Sequence, residues 1–67
     1  MNIGKIIETL RSEKNISQKK LAEQIGIKQS TISKWERKNA VPNADNIVML
    51  AKYFNVTADY LLGLEKD

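Results

Sequence analysis

The sequence predicts an all-α fold, a compact five-helix bundle, on three observations. Apolar residues recur at helical spacing along the whole chain. Alternation of β-branched and polar residues is absent, and only three glycines and one proline punctuate the 67 residues. A chain this short makes a single domain, residues 1–67. It buries only about 60% of the surface its unfolded form exposes, so one core must take most of the apolar side chains. Little room is left for a deep, water-excluding catalytic pocket.

Ile3, Ile6, Ile7 and Leu10 set the first helix, with Asn2 as its expected N-cap and an end near Lys14-Asn15. Ser17 is the expected cap of the second helix, whose buried face is Leu21, Ala22 and Ile25. Gly26 follows at the point where the chain needs a positive φ to leave a helix. The third helix lies near residues 28–37. Its apolar anchors are Ile32 and Trp35, and its phase places Trp35 in the core rather than against a base. A polar loop through Ala40 and Pro42 leads to Asn43, the expected cap of a fourth helix. There Ile47, Leu50, Ala51 and Phe54 form an amphipathic stripe. Thr57 caps a short fifth helix, Leu61 and Leu62 close the core, and Glu65-Lys66-Asp67 are expected to fray.

Composition narrows the function classes. There is no cysteine and no histidine, which removes disulfides, thiolate metal sites, the commonest metal ligand and the commonest general base. With carboxylates scattered and no Gly-rich phosphate loop, neither an enzyme nor a metal site nor a cofactor is expected. The longest strictly apolar stretch, Ile47–Ala51, is far short of the ~20 residues of a membrane span. The first residues hold no signal-peptide pattern. A soluble, cytoplasmic protein is the expectation. Residues 1–38 carry nine Lys/Arg against four Asp/Glu, and residues 39–67 carry two against four, so a net of +5 sits on the first part and −2 on the second. A basic side facing a polyanion, backed by a supporting side, fits that distribution.

The join between helices two and three is the most informative feature. Two helices linked by a three- to four-residue turn cross steeply, the helix-turn-helix arrangement. They cannot bury both apolar faces against each other, so helices one, four and five must lie beneath them. The outward face of helix three reads Lys28, Gln29, Ser30, Ser33 and Lys34, with no carboxylate from Lys28 to Trp35. Glutamine suits an adenine edge, lysine the acceptors of guanine, and serine is permissive. The positive N-terminus of helix two is a natural dock for phosphate. Duplex DNA is therefore the expected partner.

At these residues the chain resembles the lambda-repressor-like helix-turn-helix family, of the Cro/CI or XRE type. The resemblance runs from Ile3 to Leu62. It is carried by Ser17-Gln18-Lys19-Lys20-Leu21-Ala22-Glu23-Gln24-Ile25-Gly26-Ile27, by Ser30-Thr31-Ile32-Ser33-Lys34-Trp35-Glu36, and by Pro42 and Leu50-Ala51. It implies that Gln29 and Ser30 read bases, with Ser33 and Lys34 also facing the groove. It implies phosphate contacts from Ser17, Gln18, Lys28, Thr31, Arg37, Lys38 and Asn39. Gln18 would also brace Gln29. Arg11 and Glu36 match a charge pair buried between helices one and three. Two positions depart from the family pattern. Lys28 stands where a serine or threonine cap is usual, and Lys38 where glycine is frequent. Either Lys38 keeps a positive φ under strain, or Asn39 takes it over.

The function this implies is sequence-specific binding of double-stranded DNA by a transcriptional regulator, a repressor acting as a homodimer on a palindromic operator. The alternative is an antitoxin-like or protein-interaction module on the same fold. For the dimer interface the sequence offers Tyr60, Leu61 and Leu64. Val48, Met49 and Tyr53 lie off the main stripe of helix four, where they either join that surface or thicken the core.

Overall fold

In the computed structural model, which describes residues 2–65, the chain is five helices with no strand among the described residues. They are α1 (Ile3–Glu13), α2 (Gln18–Ile25), α3 (Gln29–Glu36), α4 (Ala44–Phe54) and α5 (Ala58–Leu61). α1 packs on α3 and α5, α2 packs on α3 and α4, and α4 packs on α5. One core runs through all five. It is built from Ile3, Ile7 and Leu10, then Leu21, Ala22 and Ile25, then Ile32 and Trp35, and finally Leu50, Phe54 and Leu61. Trp35 is only 2% exposed, so it is a core residue. Met49, Tyr53 and Tyr60 are half-buried against this core, whereas Val48 is exposed. Tyr53 stacks edge-on against Phe54 at 5.0 Å, and the Lys14 ammonium lies 5.3 Å from the centre of its ring. Among the described residues no helix is long and apolar enough to cross a membrane.

Three of the expected caps form. The side chains of Ser17, Asn43 and Thr57 accept from the backbone N–H groups of Lys20, Asn46 and Tyr60 at 3.0, 2.9 and 3.0 Å. Asn2 precedes α1 as expected, but its side chain makes no capping hydrogen bond. The Thr57 hydroxyl also donates to the Glu65 carboxylate. Lys66 and Asp67 lie outside the described residues.

All five helices stop in the same way. A residue with left-handed backbone follows each, namely Asn15, Gly26, Lys38, Asn55 and Gly63, with φ between 56° and 76°. The next N–H then reaches back to a carbonyl of the last turn. Ile16 bonds Arg11, Ile27 bonds Ala22, Asn39 bonds Lys34, Val56 bonds Ala51 and Leu64 bonds Asp59, at 2.9–3.1 Å. Glycine and asparagine tolerate this backbone, but lysine does not. Lys38 itself carries the positive φ of 65°, and Asn39 does not take it over. Lys38→Gly should therefore raise stability by about 1 kcal/mol, since the left-handed form costs an L-residue about 1–2 kcal/mol. The melting temperature should rise by roughly 4–8 °C. An unchanged or lower melting temperature would mean that the Lys38 side chain makes a stabilising contact worth as much as the strain.

One expectation about the surface is corrected. Leu61 is 0% exposed and closes the core beneath α1 and α4, so it offers nothing to an interface. Leu64, at 69% exposure, and the half-buried Tyr60 remain on the surface.

Candidate nucleic-acid interface

The connection from α2 to α3 is three residues, Gly26-Ile27-Lys28. Gly26 turns the chain at φ 72°, and Lys28 enters α3 with extended backbone and no side-chain cap. The first-turn N–H groups of α3 thus have no side-chain acceptor. Ile32 and Trp35 pin the inner side of α3, and this fixes which side faces out. Gln29, Ser30, Lys34 and Arg37 are exposed, Ser33 and Thr31 are half-buried, and Lys28, Lys38 and Asn39 are exposed at the two ends. Of the expected DNA-facing side chains of α3, Gln29, Ser30 and Lys34 thus stand in solvent, while Thr31 and Ser33 are partly covered. Ser17 and Gln18 stand at the start of α2, exposed and half-buried respectively.

Glu36 is the one acid of α3, and it does not reach that surface. Its carboxylate is 5% exposed and holds Arg11 in a two-pronged pair. Arg11 Nε donates to Glu36 Oε2 at 2.8 Å, and Nη2 donates to Oε1 at 3.0 Å. The third guanidinium nitrogen, Nη1, donates to the Ile16 carbonyl at 2.9 Å. Gln18 Nε2 donates to Glu36 Oε1 at 2.9 Å. Gln18 thus gives one amide N–H to Glu36, because a carboxylate 2.9 Å away can only accept, and keeps its second N–H and its amide oxygen. Arg11 belongs to the scaffold rather than to the outward face.

The same contacts tune Glu36. Burial pushes its carboxyl up, but the hydrogen bonds from Arg11 and Gln18 and the charge of Arg11 outweigh burial, and the net shift is downward from 4.5. The Glu36 hydrogen bond and charge raise Arg11 against the lowering effect of burial. The folded state thus binds the Glu36 proton less tightly than the unfolded chain does. Glu36 contributes stability in full above about pH 4.5, and the contribution is lost as pH falls from there through the lower folded value. Unfolding midpoints measured from pH 6 down to pH 3 should fall with acid, and Glu36→Gln should flatten that fall. Parallel pH profiles for variant and parent would remove Glu36 as the source.

Two residues beside the surface were not singled out by sequence. Lys19 and Glu23, one turn apart on α2, line a shallow groove of about 470 Å³ together with Ala22, Gly26, Ile27, Lys28 and Gln29. Their spacing was the available signal, since residues four apart share a helix face. The groove runs directly up to Gln29, so both charges border the outward face of α3.

Comparison with known proteins accords with this geometry. The pattern of the Helix-turn-helix family matches residues 7–61. The transcriptional activator BcrR of Enterococcus faecalis is 38% identical over 66 residues, covering 98% of this chain and 32% of its own length. The transcriptional regulator ImmR of Bacillus subtilis is 33% identical, covering 98% of this chain and 52% of its own length. The chain thus spans about a third to a half of the length of these curated relatives. A crystal structure of the P22 c2 repressor in complex with a synthetic operator superposes with a TM-score of 0.88 at 32% identity, covering 97% of this chain and 98% of that one. These are regulators of transcription and not enzymes. By its family pattern, its five-helix architecture and its relatives, the chain belongs to the lambda-repressor-like helix-turn-helix family of transcriptional regulators.

Proposed function

We propose that this chain binds double-stranded DNA sequence-specifically, with the outward face of α3 in the major groove. It acts as a transcriptional repressor, as a homodimer on a palindromic operator. The observation that carries the reading is the face itself. Gln29, Ser30 and Lys34 stand exposed between cations, while the only acid of the helix is turned inward and neutralised by Arg11. Gln29 and Ser30 are the base readers, with Lys34 and Ser33 beside them. Lys28, Thr31, Arg37, Lys38 and Asn39 hold the backbone around α3, and Ser17 and Gln18 hold it at the start of α2.

The helix ends give independent support for the backbone contacts. Four of the five endings place Asn or Gly at the left-handed residue and an aliphatic residue next. Only the ending of α3 carries Lys38 and Asn39 there, both exposed. Stability does not ask for a lysine at that backbone angle, whereas a phosphate does. For the two-fold interface, the exposed Leu64 and Val48 and the half-buried Tyr60 are apolar groups on offer. Repression is the reading supported by the likeness to a repressor bound to its operator, and a reporter whose output rises with this chain would give the activator role of BcrR instead. Cytoplasmic location follows from the partner.

Selection of bound duplexes from a random pool tests the whole reading. A half-site repeated with two-fold symmetry about one helical turn away is the expected result. No retained duplex at 50 mM salt would end the DNA reading, and a single asymmetric site would end the palindromic dimer. On the selected duplex, Gln29→Ala should lose discrimination at one base pair, a change of about 1–3 kcal/mol. Binding to random duplex should hardly change. Equal loss on both duplexes, read by anisotropy, would strip Gln29 of its base-reading role.

A further inference from the structure

We propose that Glu36 is a positioning residue for DNA docking, which it performs by holding Gln18 and Arg11 in one hydrogen-bonded chain across the helix-turn-helix. This rests on the DNA-binding reading above and deepens it. Glu36 is the last residue of α3, and Gln18 is the first of α2. Glu36 Oε1 accepts from both Gln18 Nε2 and Arg11 Nη2, at 2.9 and 3.0 Å. Arg11 also grips the Ile16 carbonyl, which lies immediately before the Ser17 cap of α2. The chain therefore clamps the start of α2 to the end of α3 at two points, one through a side chain and one through the backbone.

Those two helix ends are the places where the phosphate contacts lie. Ser17 and Gln18 occupy one, and Arg37, Lys38 and Asn39 follow directly on Glu36 at the other. A protein that holds a duplex at two backbone points needs a fixed span between them, because a misplaced anchor loses its phosphate. The three helices α1, α2 and α3 meet in this chain, so the span is set by the scaffold rather than by the exposed lysines. The orientation of Gln18 follows as well. An amide can flip freely in water, but the acceptor-only carboxylate compels Gln18 to present its NH₂ group. That group has two hydrogens. One goes to Glu36, and the other is left for a phosphate oxygen, which also only accepts. Glu36 thereby preorients the donor before DNA arrives.

The test is a double-mutant cycle on the selected duplex with Glu36→Gln, Gln18→Leu and the pair. Every protein is measured at a temperature where circular dichroism shows it folded. Glu36→Gln should weaken binding about tenfold and lower the slope of log affinity against log salt by about 0.9, the value of one phosphate contact. Preference among base sequences should stay as in the parent. In the Gln18→Leu background, Glu36→Gln should have a clearly smaller effect, since only the Arg11 grip on the start of α2 is then left to lose. Equal effects of Glu36→Gln in both backgrounds, or an unchanged salt slope, would overturn the positioning role and leave Glu36 a stability residue only. A parent that binds no duplex overturns the underlying DNA reading, which is a separate and recognisable failure. If Glu36→Gln does not fold, the Gln18 side-chain amide of the parent is followed by NMR. One amide proton shifted from free-glutamine values in the unbound protein and unmoved by duplex, with the other moving only when duplex is added, supports preorientation. Shifts typical of a free amide in the unbound protein overturn it.

Discussion

Arg11→Ala is expected to remove about 3–5 kcal/mol of stability. The substitution removes all three donors that Arg11 supplies, leaving Glu36 with Gln18 as its one recorded partner and the Ile16 carbonyl without the guanidinium. The Glu36 side chain is 5% exposed with Arg11 in place, so its carboxylate relies on these donors. Removing one partner of a buried ion pair costs about 3–5 kcal/mol, because the other charge stays buried and uncompensated. A chain of this length has roughly 3–10 kcal/mol of total stability at the usual value per residue. The loss is thus a large share of what holds the fold. A urea denaturation curve shifted to a much lower midpoint is the expected result. A curve overlaying the parent would show that the pair is not structural. Lysine is a poor substitute here, since it lacks the planar fork that engages both carboxylate oxygens and the carbonyl together.

Gly4→Ala is expected to be nearly as damaging, and against the sign that helix propensity gives. In an open helix the change would stabilise by about 1 kcal/mol. Here the added Cβ would lie 2.1 Å from the Trp35 carbonyl oxygen, with the Trp35 carbonyl carbon at 3.0 Å and Glu36 Cα at 3.2 Å. All three are backbone atoms, so no side chain can rotate away. α1 would have to move off α3, opening the core at Ile3 and Ile7. Overpacking of a core costs about 1–3 kcal/mol and sometimes more, and a clash with rigid backbone belongs at the upper end. A melting temperature lower by roughly 12–24 °C would follow from a loss of about 3 kcal/mol. A variant melting at or above the parent would mean that α1 and α3 approach less closely than described.

This close approach also shows where the sequence stops being legible. The helices, three of their caps and the inward stripe of α3 follow from local rules, because periodicity and short polar side chains at helix starts act over a few residues. Gly4 carried no such signal. Its role arises from a contact with residues 35 and 36, distant in the chain, and a glycine inside a helical pattern looks merely tolerated. Gln18 is similar. The family resemblance gave it Gln29 and a phosphate as partners and did not point to Glu36, which tertiary geometry alone brings within 2.9 Å of its amide nitrogen. The helix endings are the opposite case. Asn15-Ile16, Gly26-Ile27, Asn55-Val56 and Gly63-Leu64 repeat one local pattern written in two adjacent residues, although of these only Gly26 was expected to carry a positive φ. Leu61 illustrates a third kind of difficulty. It was expected both to close the core with Leu62 and to serve an interface, and a four-residue helix is too short for periodicity to choose between the two.

The division of α3 into two faces has a consequence for how such a chain can diversify. Ile32, Trp35 and Glu36 hold the helix, while Gln29, Ser30 and Lys34 stand in solvent and hold nothing. Exposed substitutions away from caps and buried networks usually change stability by less than about 0.5 kcal/mol. The outward residues can therefore be exchanged in succession, each intermediate still folding, and a lineage can drift from one preferred target sequence to another without passing through an unstable ancestor.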